Sequence, residues 1–130
     1  MQIEYPIQPR ISETDMMGHI NNVSFAIWFE DARVSLMQGI DGAGIHELMF
    51  ILAQVHIDYR AEVHYGHEVT SRVWVEKTGS SSITFGHEIL QNGKVGATGQ
   101  SVMVHLDAES RRPQPIPDKI RRALITYSKD

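Results

Sequence analysis

Apolar residues between positions 22 and 39 recur at the spacing of an α-helix. Four of them share one face of such a helix and two more flank that face: Phe25, Phe29, Ala32, Leu36, Ile27 and Trp28. A helix that is apolar over so much of its circumference must be buried on more than one side. Asn22 is a candidate N-cap for it, and Gly39 is a candidate C-terminal stop.

From residue 50 onward the apolar period changes to two, which is typical of half-buried β-strands. The alternation predicts four strands, at about residues 50–60, 69–75, 83–89 and 94–107. Asn92-Gly93 predicts a hairpin before the last strand, because a two-residue type I′ turn needs a positive φ twice. Gly96 and Gly99 mark places in that strand where the chain can bend or another backbone can approach closely.

A first strand is expected at residues 2–11, although Pro6 and Pro9 restrict it to a sheet edge or to an irregular course. A polar loop, residues 12–22, follows this strand. A short helix is expected near the C-terminus, at about residues 118–127.

The order of strand, helix and four antiparallel strands predicts an α+β fold, with one buried helix against a curved sheet, in a single domain over residues 1–130. One sheet cannot enclose such a helix and also cover both of its own edges. We therefore expect a homo-oligomer, either a dimer or a dimer of dimers.

Composition narrows the classes of function. The chain has 130 residues and no cysteine, which rules out disulfides and thiolate zinc sites. Its net charge of −4 argues against nucleic acid as the main partner. No apolar run approaches the roughly 20 residues that span a bilayer, and the first residues lack the features of a signal peptide. A cytoplasmic location without a membrane partner is the resulting expectation.

The densest polar cluster of the chain lies directly before the predicted helix. It contains a carboxylate, a glycine, a histidine and two amide side chains: Asp15, Gly18, His19, Asn21 and Asn22. The N–H groups at a helix start suit a developing oxyanion. A carboxylate beside such donors is the minimum apparatus for attack on an acyl carbonyl. A loop that only caps the helix accounts for the same residues, and their types and order alone do not separate the two interpretations.

The pattern Asp15-x-x-Gly18-His19-x-Asn21-Asn22, with the Phe25, Trp28-Phe29-Glu30 and Ala32-Arg33 positions after it, resembles the 4-hydroxybenzoyl-CoA thioesterase branch of the hotdog superfamily. The likeness extends over residues 7–108 and includes Asp58-Tyr59-Arg60, Gly66 and residues 78–82. It implies a hotdog fold, in which a five-stranded antiparallel sheet wraps around a long central helix. It also implies hydrolysis of an acyl-CoA, with coenzyme A as part of the substrate and no further cofactor.

The resemblance also implies roles for single residues. Asp15 matches the catalytic aspartate, which acts as a general base or as a nucleophile, and the backbone N–H groups of Asn22 and Val23 match the donors that polarise the carbonyl. Gly18 would let the loop pass close to the thioester, and His19 would hold the loop. The substrate-binding candidates are Asn21, Phe25, Arg60, Lys77, Gly79, Ser80 and Ser81.

Four of these candidates need comment. Phe25 departs from the family pattern, since many relatives have tyrosine near this position, so a core packing role is expected for it. In the family, the turn that corresponds to Gly79, Ser80 and Ser81 lies near the pantetheine and nucleotide end of coenzyme A.

Basic residues near the C-terminus fit either a solvated helix or contacts to a phosphorylated ligand: Arg111, Arg112, Lys119, Arg121 and Arg122.

Several alternatives stay open. The same fold serves acyl-ACP thioesterases, hydratases or dehydratases that would use His19 with Asp15, and proteins that bind acyl-CoA without catalysis. A second thioesterase branch uses a carboxylate within the helix, which would be Glu30 or Asp31 here. His56, His64 and His67 are the histidines that suggest a metal site. No such site is expected, because His56 and His64 lie roughly 26 Å apart along an ideal strand and one ion cannot reach both.

Overall fold

The computed structural model describes residues 1–40 and 48–129, which form five strands and two α-helices. In chain order these elements are β1 (Ile3–Ile7), α1 (Asn22–Gln38), β2 (Met49–Tyr59), β3 (Val69–Thr78), β4 (Ser82–Gln91), β5 (Lys94–Leu106) and α2 (Asp118–Ile125). One turn of 3₁₀-helix, Ile11–Glu13, lies between β1 and α1. The predicted α+β layout is confirmed.

The five strands form one antiparallel sheet in the order β1-β3-β4-β5-β2. The predicted hairpin is present, since Asn92 and Gly93 both have positive φ, +52° and +76°. The first strand is shorter than predicted and ends at Ile7, because the chain turns into the 3₁₀-helix after Pro9. Pro6 is tolerated in β1 because this strand lies at a sheet edge.

Helix α1 has 17 residues and packs on one face of the sheet. Its predicted core residues, including Phe25, Phe29 and Leu36, are buried. The expected long central helix is not confirmed, since α1 has only 17 residues. The other side of α1 remains exposed at three apolar residues, Val23, Ile27 and Val34.

The start of α1 differs by one residue from the prediction. Asn21, not Asn22, is the N-cap, and its Oδ1 accepts the backbone N–H of Ser24 at 2.9 Å. Asn22 is the first residue of the helix. Gly39 is the C-cap, as predicted, with its N–H bonded to the Leu36 and Ser35 carbonyls.

Strand β2 is the second edge of the sheet and is exposed on both of its faces over most of its length. Its exposed apolar side chains are Ile51, Leu52, Val55 and Tyr59. On the other side, β2 pairs with β5, where the predicted close approach occurs. A Cβ added to Gly99 would meet the backbone oxygen of His56 and the ring of Phe29.

Helix α2 covers the β3–β4 turn. Arg121, from the basic C-terminal group, donates to the backbone oxygens of Gly79 and Ser80 at 2.8 and 2.9 Å. Arg121 was one of the candidate phosphate partners, but its guanidinium is hydrogen-bonded within the protein. Neither helix among the described residues has the length and apolar character needed to cross a bilayer.

Candidate functional site

The loop before α1 closes tightly around the Asp15 carboxylate. Asp15 Oδ1 accepts the backbone N–H groups of Met17 and His19 at 2.7 and 3.1 Å. The N–H of Asp15 in turn donates to the carbonyl oxygen of His19 at 2.7 Å. Gly18 has a φ of +81°, which a residue with a side chain rarely adopts and which allows the turn. The carboxylate is therefore held in one orientation, with its side chain 43% exposed.

The same loop is anchored to the segment between β2 and β3. The N–H of Ile20 donates to the carbonyl of Val63 at 2.7 Å, and the N–H of Tyr65 donates to the carbonyl of Gly18 at 3.1 Å. Ile20 and Val63 are both buried, in the core cluster that also contains Phe25. Packing of Ile20 and Val63 in the core therefore holds the end of the loop against the segment between β2 and β3.

The beginning of α1 offers two unused donors. The Ser24 N–H is taken by the cap residue Asn21, whereas the N–H groups of Asn22 and Val23 have no acceptor within residues 1–40 and 48–129. Both residues are exposed. Such N–H groups carry the partial positive charge of the helix start and suit an oxygen that gains negative charge.

Asp15 and Asn22 line one cleft of about 340 Å³. Its walls come from the loop, from α1 and from the end of β2 with the residues that follow: Asp15, His19, Ile20, Asn22, Phe25, Tyr59, Arg60, Ala61, Glu62 and Val63. The predicted site residues that line this cleft are Asp15, His19, Asn22, Phe25 and Arg60. Gly18, Asn21 and Val23 are not among its lining residues. Phe25 is 3% exposed, as expected for a packing residue.

Tyr59 and Glu62 line this cleft but were not among the predicted site residues. The hydroxyl of Tyr59 donates to the carbonyl oxygen of Asn22 at 3.2 Å, and its ring meets Phe25 edge to face. Position 25 has no phenol hydroxyl, but Tyr59 brings one to the start of α1 from β2. The only signal in the sequence was the position of Tyr59 in the Asp58-Tyr59-Arg60 segment.

Glu62 links His19 to His64. One carboxylate oxygen, Oε2, lies 3.5 Å from Nε2 of His19 and 3.6 Å from Nε2 of His64. The two imidazole rings meet edge to face, with centroids 4.9 Å apart. The histidine pairings weighed in the sequence did not include His19 with His64, because the two come together only through the pairing of the loop with the β2–β3 segment.

Four predicted substrate-binding residues lie elsewhere: Lys77, Gly79, Ser80 and Ser81. They lie at the end of β3 and in the following turn, whereas Val69, at the start of β3, packs in the core cluster of the loop. A ten-residue strand separates the two ends by roughly 30 Å. Within one chain these residues are therefore not neighbours of Asp15, and their role in binding stays a prediction.

Two polar side chains, Arg33 of α1 and His87 of β4, are buried in the protein. His87 is 1% exposed, stacks on Phe29 with centroids 4.3 Å apart, and is hydrogen-bonded to the Ser101 hydroxyl at 2.9 Å. Burial, with a smaller contribution from the Arg33 charge, lowers the pKa of His87 to about 3. Burial also lowers the pKa of Arg33, which is 3% exposed. Neither burial was predicted from the sequence, where both residues are polar by type.

Glu30 and Asp31, the alternative carboxylates within α1, are both exposed. Glu30 lies 3.8 Å from the Arg33 guanidinium, as an ion-paired residue of the helix. Asp31 lines a separate cleft beside β1. Neither lines the cleft that contains Asp15.

Comparison with known proteins adds a family to this geometry. Residues 9–124 match the family described as the thioesterase-like superfamily. The chain is similar to a 1,4-dihydroxy-2-naphthoyl-CoA hydrolase of Synechococcus sp. (strain CC9605), with 34% identity over 129 residues, 92% of this chain and 87% of the relative.

Solved structures support the same family. A predicted thioesterase from Bacillus stearothermophilus superposes with a TM-score of 0.89 at 35% identity, over 98% of this chain and 97% of that one. A thioesterase from Thermus thermophilus, solved with coenzyme A and Zn, gives a TM-score of 0.84 at 31% identity, over 93% and 95% of the two chains. The resemblance seen in the sequence is thus confirmed, and this chain, with the five-stranded antiparallel sheet and α1 of the hotdog fold, belongs to the thioesterase-like superfamily.

Proposed function

We propose that this protein is an acyl-CoA thioesterase that hydrolyses an acyl-CoA to the free acid and coenzyme A. The observation that carries the proposal is one cleft lined both by Asp15, whose carboxylate is fixed by backbone N–H groups, and by Asn22, the first residue of a helix whose first N–H groups are unused. Family membership and the names of the relatives support the same reaction class.

In the proposed reaction, Asp15 removes a proton from a water molecule, and the water oxygen attacks the thioester carbon. The carbonyl oxygen becomes negatively charged and accepts the N–H groups of Asn22 and Val23. Collapse of this intermediate breaks the carbon–sulfur bond and expels the thiolate of coenzyme A, which then takes up a proton. A direct attack of the Asp15 carboxylate on the same carbon, followed by hydrolysis of the anhydride, uses the same groups.

The acyl group in this proposal lies against the aromatic rings of Phe25 and Tyr59, which form the apolar wall of the cleft. The coenzyme A part extends past Arg60, whose side chain is 57% exposed at the cleft. A guanidinium there suits a phosphate group. The solved complex of the Thermus thermophilus relative with coenzyme A supports a ligand of this class.

We further propose that the active site is completed in a homodimer. Tyr59 is the last residue of β2 and Arg60 follows it, and β2 is the sheet edge that exposes apolar side chains on both faces. An unpaired apolar edge of this kind is a template for pairing with a second copy. Pairing there would put the partner subunit beside the cleft.

A thiol-release assay with a panel of acyl-CoA thioesters tests the proposal. We expect Asp15→Asn to lower turnover by roughly 10²–10⁴, the usual contribution of a positioned general base or more. Asp107→Asn is the matched control, because the Asp107 carboxylate also accepts two backbone N–H groups, of Glu109 and Ser110, away from the cleft.

Near wild-type turnover of the Asp15→Asn variant would remove Asp15 from the mechanism. Wild-type protein that binds acyl-CoA without releasing thiol would instead be a non-catalytic binder. Hydrolysis of acyl groups on acyl carrier protein but not on coenzyme A would indicate an acyl-ACP thioesterase. Addition of water to an enoyl-CoA would indicate a hydratase.

A further inference from the structure

We propose that His19, Glu62 and His64 form a binding site for one transition-metal dication of the Zn²⁺ type. The ligand atoms of these three side chains all lie within 4.8 Å of one another. This site departs from the sequence-based expectation of no metal, which rested on His56, His64 and His67. The site is argued from the geometry of its ligands and not from the thioesterase reaction, although His19 and Glu62 also line the cleft that contains Asp15.

The spacing of the atoms matches what a metal needs. A zinc ion holds its nitrogen and oxygen ligands at 2.0–2.2 Å in a tetrahedron, which puts neighbouring ligand atoms about 3.4 Å apart. Glu62 Oε2 lies 3.5 Å from Nε2 of His19 and 3.6 Å from Nε2 of His64. Both distances exceed the usual 2.7–3.2 Å of a hydrogen bond to nitrogen. The three side chains therefore converge at a distance that leaves room for an ion.

The surroundings of His19 have the form of a metal ligand's support. Its second ring nitrogen, Nδ1, faces Asp15 Oδ2 at 3.9 Å. A histidine that binds a metal usually directs its other ring N–H at a carboxylate or a carbonyl, which fixes the tautomer and the ring orientation. Asp15 is itself held by two backbone N–H groups. A small shift of the His19 ring toward Oδ2 would complete this support, since 3.9 Å is longer than a hydrogen bond.

The backbone preorganises the site as well. His19 and His64 are paired across a short antiparallel bridge, and Tyr65 N–H donates to the carbonyl of Gly18 at 3.1 Å. The side chains are 32%, 67% and 47% exposed for His19, Glu62 and His64. An ion can therefore enter from solvent, and its fourth position stays open to water.

The chemistry of the ligands selects the class of metal. Imidazole and carboxylate together suit Zn²⁺ and its neighbours, whereas Mg²⁺ and Ca²⁺ prefer oxygen ligands alone. Exposed pairs of this kind contribute little to stability by themselves. Bound metal would join the loop before α1 to the segment after β2.

Calorimetric titration of the full-length, chelator-treated protein with ZnCl₂ tests the site. We expect one equivalent per chain, a higher melting temperature with Zn²⁺, and no binding of Mg²⁺. With Co²⁺ in place of Zn²⁺, the visible absorption should be that of a tetrahedral site. His64→Ala should bind Zn²⁺ at least about tenfold more weakly, since even outer partners of a metal site contribute that much.

Glu62→Gln should weaken binding in the same direction. His67→Ala is the matched control, because His67 is an exposed histidine three positions further along the same segment, outside the cluster. The proposal is overturned if His64→Ala binds Zn²⁺ as the wild type does, if His67→Ala loses binding equally, or if the wild type shows no saturable equivalent. None of these readouts depends on thioester hydrolysis.

Discussion

Tyr59, the last residue of β2, donates its hydroxyl to the carbonyl oxygen of Asn22, the first residue of α1, at 3.2 Å. The bond joins the exposed sheet edge to the helix start that supplies the proposed oxyanion donors. One wall of the cleft is therefore held by a contact between residues far apart in the sequence.

Replacing this hydroxyl should impair catalysis more than folding. A hydrogen bond of this kind contributes about 0.5–1.5 kcal/mol, and its loss in Tyr59→Phe would free the first turn of α1 beside the reacting carbonyl. We expect turnover to fall by about twofold to tenfold, with the melting temperature little changed, in a thiol-release assay beside a thermal melt. Tyr65→Phe removes the hydroxyl of another exposed tyrosine and should have wild-type turnover. Equal turnover of both variants would contradict a role for the Tyr59 bond.

Buried His87 makes stability depend on pH in a defined window. Its pKa is about 3 in the folded protein and 6.5 when unperturbed, so below pH 6.5 the unfolded chain takes up a proton that the folded chain does not. The contribution of neutral His87 is complete above pH 6.5 and is lost as the pH falls from 6.5 toward 3. The loss amounts to at most about 1.4 kcal/mol for each pH unit.

Urea unfolding at several pH values between about 7 and about 5 measures this dependence. His87→Gln keeps a polar group near the Ser101 hydroxyl but does not titrate, so its free energy of unfolding should fall less steeply with pH. His67→Gln, at an exposed position, should keep the wild-type slope. A slope in His87→Gln equal to that of the wild type would show that His87 is not the responsible group.

The close approach at Gly99 should not tolerate a side chain. A Cβ there would meet the backbone oxygen of His56 and the Phe29 ring, and a backbone oxygen within a paired strand cannot move aside. We expect Gly99→Ala to lower the free energy of unfolding by about 1–3 kcal/mol, as overpacking of a core does. Gln100→Ala, at the exposed neighbouring position, should change it little. Denaturant unfolding that gave equal stabilities would contradict the observed packing of β5 on β2.

The exposed β2 edge should determine the oligomeric state. The wild type is expected to have the mass of a dimer or a dimer of dimers in light scattering. Val55→Glu places a charge in the middle of the apolar edge, where two copies would bring like charges together. It should halve the mass of the assembly, to that of a monomer if the wild type is a dimer. Ile125→Glu puts the same charge on α2, at an apolar residue that is 61% exposed, and should keep the wild-type mass. A dimeric Val55→Glu variant would exclude pairing through this edge.

Local features of the fold followed from the sequence because they depend on neighbours along the chain. The period of two gave the four later strands, the spacing of Phe25, Phe29 and Leu36 gave α1, and Asn92-Gly93 gave the hairpin. The helix cap was wrong by one residue, since Asn21 and Asn22 are equally good caps by type and only the Ser24 bond selects Asn21.

The sequence by itself determined the class of fold, the family and the loop that holds Asp15. Periodicity and a compact motif are both visible within short stretches of the sequence. Only the tertiary structure decided which strands are neighbours, and thereby that Tyr59, Glu62 and His64 meet the loop. It alone also placed Arg33 and His87 in the interior. Alternation shows which face of a strand is buried but not which strand lies beside it, and that pairing is selected by packing of the whole sheet against α1.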